Sequence, residues 1–178
     1  MNLVVKFLFI IFFIFLNSCS KEENKISIIK EDDIQMQMVE AYKEGIKALK
    51  ESDVLYAAKK FNEAEILFPQ SIWAPKSVLM AAYSYYSQDY YHDAIFELER
   101  FIKTYPQDKR LSYAHFLLAM CYYERIVDEK KDLEPLIKSQ EKFLFVIENY
   151  PNTDFALDSK YKLNLINDVL ASKEIYLG

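Results

Sequence analysis

Glycine is nearly absent from this 178-residue chain, occurring only at Gly45 and Gly178. A sheet protein of this size needs glycines in its hairpin turns and bulges, so the shortage argues against an all-β fold. It also leaves no room for a Gly-rich phosphate loop or a dinucleotide fingerprint. Basic charge is short as well: 22 Lys+Arg stand against 27 Asp+Glu, for a net charge of -5. Nucleic-acid binding needs a basic stripe to displace counterions, so no nucleic-acid partner is expected. Histidine occurs twice, at His92 and His115, with no ligand cluster around either, and no metal site is expected. His92-Asp93 reads as a turn residue beside a helix-capping acid rather than a catalytic dyad. The carboxylate pairs Glu22-Glu23 and Asp32-Asp33 fall in a polar stretch where nothing would desolvate them. Catalytic residues are therefore not expected, and neither is an enzyme.

Long apolar runs are missing too. The longest is ten residues, Phe7 to Leu16, behind Lys6. About 20 residues are needed to span a bilayer, whereas about 7–15 suit the core of a signal peptide. The run ends in Leu16-Asn17-Ser18-Cys19, which resembles a bacterial lipoprotein signal. That resemblance implies a signal peptide over residues 1–18. It also implies a covalent lipid, a diacylglycerol and an N-acyl chain, on Cys19, with no other cofactor. Several acyl chains anchor stably where one does not. Ser20, in place of an aspartate, favours the outer membrane, with the domain facing the periplasm and the lipid in the inner leaflet. Cys121 is then the only remaining thiol and reads as a small buried hydrophobe. Residues 19–34 are polar and read as a tether.

What the chain has in abundance is aromatic residues, 14 Tyr and 13 Phe, arranged with a period. Three pairs mark it: Phe68-Pro69, Tyr105-Pro106 and Tyr150-Pro151. Ala57, Phe61 and Ala64 precede the first proline; Ala94, Leu98 and Phe101 the second; Ser139, Phe143 and Val146 the third. The offsets of four, three and five residues are the same each time. Such spacing keeps the side chains on one helical face, and proline ends the helix. Twelve residues before Ala57 and Ala94 stand Gly45 and Ala82, where a first helix must approach its partner closely. Ala119 takes that place in the third unit, displaced by an insertion around residues 128–135.

This small-aromatic-small-proline pattern resembles the tetratricopeptide repeat, which implies an all-α, right-handed solenoid of helix pairs. The units run over residues 35–69, 70–106 and 107–151. Residues 152–178 form the first helix of an incomplete fourth, with Thr153 and Asp154 as caps and an end near Ala171. That last helix has no partner in the remaining chain, so a C-terminal truncation is expected.

Several segments are similar to the BamD family of outer-membrane assembly lipoproteins. They include Ser71-Ile72-Trp73-Ala74, Leu79 to Tyr86, Asp93-Ala94-Ile95, Tyr122-Tyr123-Glu124 and Asp132-Leu133-Glu134-Pro135. The resemblance implies a non-catalytic subunit of the β-barrel assembly machinery. Its partners would be other subunits, including the barrel insertase, and unfolded barrel proteins ending in an aromatic residue. The alternative is a tetratricopeptide adaptor for pilus assembly or for cell-wall and division enzymes. In such arrays the first helices line an inner groove. The slots are Val39, Tyr42, Ile46 and Leu49, then Lys76, Leu79, Tyr83 and Tyr86, then Tyr113, Phe116, Met120 and Tyr123. Tyr42, Leu79, Tyr83, Tyr86, Tyr113, Phe116 and Tyr123 form the candidate peptide-binding surface.

Overall fold

Nine side chains picked out by the repeat spacing do the same job in three places. Ala57, Phe61, Ala64, Ala94, Leu98, Phe101, Ser139, Phe143 and Val146 are all fully buried. They lie on the second helix of three successive helix pairs in a computed structural model, which describes residues 31–126 and 133–177. The pairs are α1 (Glu31–Lys50) with α2 (Val54–Leu67), α3 (Ala74–Tyr86) with α4 (Tyr91–Thr104), and α5 (Leu111–Glu124) with α6 (Glu134–Asn149). A further helix, α7 (Asp154–Leu177), follows. There is no strand among the described residues. Each helix packs mainly on its neighbours in the chain, and α5 also touches α7, as expected for a solenoid.

Helix ends follow from local chemistry. Phe68, Tyr105 and Tyr150 cap α2, α4 and α6, and a proline follows each. Proline disfavours helical backbone in the residue before it, so the stop is built into the dipeptide. Asp53 opens α2 by accepting a hydrogen bond from the Tyr56 N–H at 3.1 Å. Thr153 opens α7 by accepting one from the Ala156 N–H at 3.3 Å. Asp93 is not a cap: α4 starts at Tyr91, so His92 and Asp93 sit in its first turn.

Tight turns within the first two pairs manage without glycine. Ser52 and Asp89 take positive φ of 63° in the left-handed region. In each turn an N–H reaches back five residues, Asp53 to the Ala48 carbonyl and Tyr90 to the Tyr85 carbonyl.

Two boundaries differ from the sequence reading. α1 begins at Glu31, inside the segment read as tether, because Glu31, Asp32 and Asp33 are acidic residues suited to a helix N-terminus. α7 runs to Leu177, beyond Ala171. The signal segment and Cys19 lie outside the described residues, as do residues 127–132, which include most of the insertion. No helix among the described residues is long and apolar enough to cross a membrane.

The close-approach positions behave as their size requires. Gly45 lies over the ring of Phe61, and an added Cβ would stand 2.8 Å from its Cε1. Ala82 and Ala119 are fully buried in the cores of the second and third pairs.

Candidate peptide-binding groove

The inner face is built by α1, α3, α5 and α7, the first helix of each unit. At the α1–α3 junction, Tyr42 meets Phe61 and Trp73 edge-on, each at 5.3 Å between ring centroids. The Lys76 ammonium lies over both groove rings, 4.7 Å from the Trp73 centroid and 5.3 Å from that of Tyr42. Beside them opens a cavity of about 320 Å³ lined by Met38, Val39, Lys43 and Ile46 together with Tyr42, Trp73 and Lys76. A hydrophobic pocket walled by rings and crossed by a cation suits an aromatic group that carries a negative charge. Arg110, just before α5, grips Asp108 in a two-point pair at 2.7 Å. That pair holds the Asp108 carboxyl below the usual carboxylate range.

The middle of the face carries tyrosines. Tyr83 is the most open, at 41% exposure. Tyr86 and Tyr113 are half-buried against the second core, and burial pushes both phenols up to about 12. Tyr86 also packs on Tyr91 at 5.8 Å.

At the far end, Phe116 packs on Phe143 and Phe155, and Tyr123 stands edge-on to Phe143 at 6.2 Å. Lys162 of α7 lies 4.2 Å above the Tyr123 ring.

Of the residues proposed from sequence, Tyr42, Tyr83, Tyr86, Tyr113, Phe116 and Tyr123 retain accessible surface on the first helices. Leu79 does not: at 5% exposure it belongs to the core between the second and third pairs. The helical template placed it one step too far outward because α3 also carries α5 on its flank. Met120, another slot, is buried at 8% in the next core, where α7 flanks α5.

Two groove residues escaped the sequence reading. Trp73 sits in the turn before α3, off any helical template. Lys162 lies on a helix whose register no partner helix defined.

Also missed was a polar cluster tying the first pair to the second. Arg100 donates to Glu65 at 2.6 Å, to Glu97 at 2.8 and 2.9 Å and to Asn62 at 3.0 Å. Tyr105 donates to Glu65 at 2.7 Å and Asn62 to Glu97 at 2.8 Å. Glu65 and Glu97 are buried, each at 6% exposure. Burial opposes the Arg100 charge, but the hydrogen bonds to both carboxylates outweigh it and raise its pKa further. On the opposite face His115 stacks on Phe145 at 4.5 Å, and burial lowers its pKa. Cys121 is fully buried, and its thiol is pushed up to about 12. Among the described residues no three His, Cys, Asp or Glu side chains group as a metal site.

The backbone has a known counterpart. The first tetratricopeptide domain of Spaghetti, solved with an HSP90 peptide, superposes with a TM-score of 0.56 over 77% of this chain and 95% of that one. At 14% identity the likeness concerns the fold alone. Two outer membrane protein assembly factors named BamD are closer in sequence. That of Caulobacter vibrioides is 36% identical over 137 residues, covering 77% of this chain and 45% of the relative. That of Rickettsia prowazekii is 35% identical over 147 residues, covering 83% and 59%. The chain thus spans about half the length of the curated relatives it matches. The YfiO family, described as an outer membrane lipoprotein, matches residues 34–178. With that match reaching every helix among the described residues, the chain belongs to the YfiO family of outer membrane lipoproteins, which its BamD relatives represent.

Proposed function

We propose that this chain is a non-catalytic subunit of the outer-membrane β-barrel assembly machinery. It is anchored through lipid on Cys19 and faces the periplasm. Its inner groove receives the C-terminal segment of unfolded barrel proteins, and other surfaces dock on the insertase and further subunits. The observation that carries the reading is the Tyr42–Trp73–Lys76 pocket on the inner face, in a chain whose relatives are named assembly factors. A ring buried there would contribute roughly 1.5–3 kcal/mol by area, and the ammonium would receive the adjoining carboxylate. A fold shared with peptide-binding and many other proteins would not by itself support this.

Controlled depletion provides the test. Folded outer-membrane barrels, scored by their heat-modifiable gel mobility, should fall and return on complementation with the wild-type gene. Complementation by Cys19→Ala should fail, with the protein released from the membrane fraction. Intact barrels accompanied by lost pili or a division defect would favour a tetratricopeptide adaptor role instead.

A further inference from the structure

The inner face repeats one device at two of its three helix junctions. Between α1 and α3 a lysine lies on aromatic rings, Lys76 over Tyr42 and Trp73. Between α5 and α7 Lys162 lies over Tyr123 at 4.2 Å. The junction between them holds the tyrosines 83, 86 and 113. Lysines on rings elsewhere are neutralised: Lys60, over Tyr56, pairs with Glu44 and Glu63, each at 2.9 Å, and Lys138, over Tyr122, pairs with Glu134 at 2.8 Å. Neither Lys76 nor Lys162 has an ion-pair or hydrogen-bond partner among the described residues. In a chain with net charge -5, two partly buried lysines that lie on rings without carboxylates mark places left for charge from outside.

We infer that the groove is bipartite and takes an extended peptide bearing two carboxylates, one at each lysine–aromatic anchor. This rests on the peptide-binding reading given above. The cavity of about 320 Å³ beside Lys76 accommodates a terminal aromatic side chain, so Lys76 takes the peptide's C-terminal carboxylate. Lys162 takes an acidic side chain upstream. Two helix spacings of about 8–10 Å separate the anchors across the face. Relative to Gly45 and Ala119, Tyr42 and Tyr123 differ by seven helical positions, which adds about 10 Å along the axes. The diagonal is about 20 Å, or about six residues of extended chain.

The test uses fluorescence anisotropy with the full chain in detergent and a labelled peptide. The peptide ends in free phenylalanine with a glutamate about six residues upstream. Lys162→Gln should weaken this peptide about tenfold, and should leave a peptide with glutamine at that place unchanged. Lys76→Gln should act in the same way on the free-carboxylate peptide and leave its C-terminal amide unchanged. Moving the glutamate three residues towards the C-terminus should abolish the dependence on Lys162. Unchanged circular dichroism checks that both variants fold. If the peptides bind but the lysine and carboxylate changes act independently, the bipartite site is wrong and the groove reading stands. If none of these peptides binds the wild-type chain, both fall.

Discussion

Gly45 shows how much a single atom decides in a helix pair. Its missing side chain lets α1 lie against the Phe61 ring, which is fully buried and also meets Tyr42 of the same helix edge-on. Alanine is the better helix former by about 1 kcal/mol, yet overpacking a fixed ring costs about 1–3 kcal/mol. Gly45→Ala should therefore destabilise the chain by about 1 kcal/mol net in urea unfolding. Phe61→Leu should be less damaging in the Gly45→Ala background than alone, because the two changes share one space. Additive effects would mean that the glycine is there for another reason. The close approach was legible in the sequence from the twelve residues that separate Gly45 from Ala57; the ring it lies over, Phe61, was not. Trp73 was not legible as a groove residue, because turn residues obey no helical period.

At the scale of elements, the aromatic-proline pairs and the buried face of each second helix could be read directly, since proline and the four-three spacing act locally. The turns at Ser52 and Asp89 could not, because glycine was their expected occupant and a left-handed conformation leaves no mark on serine or aspartate. The Arg100 cluster was equally hidden. It links α2 to α4 through pairs 35 and 38 residues apart, whereas the repeat itself spaces equivalent residues by 37. Its partners are therefore not equivalent positions, and no self-comparison of the sequence brings them together. Two buried carboxylates share this one guanidinium, so Arg100→Met should cost about 3–5 kcal/mol. Adding Glu65→Gln and Glu97→Gln should recover most of that loss, because the uncompensated charges go with them. A loss below about 1 kcal/mol for Arg100→Met would reduce the cluster to a surface ion pair.

The whole molecule places aromatic rings and unpaired ammonium groups on one inner face. The outer face meanwhile carries apolar residues such as Phe96 at 67% exposure. The central claim is that the inner face, not the outer, receives the barrel precursor. Site-specific photo-crosslinking measures this most directly, with the reactive group at position 83 on α3 or at position 96 on α4. Position 83 should crosslink to precursors with an intact C-terminal segment, and the product should be lost when that segment is deleted. Position 96 should give no such product. Precursor crosslinks from position 96 alone, or crosslinks from 83 that survive the deletion, would contradict the claim.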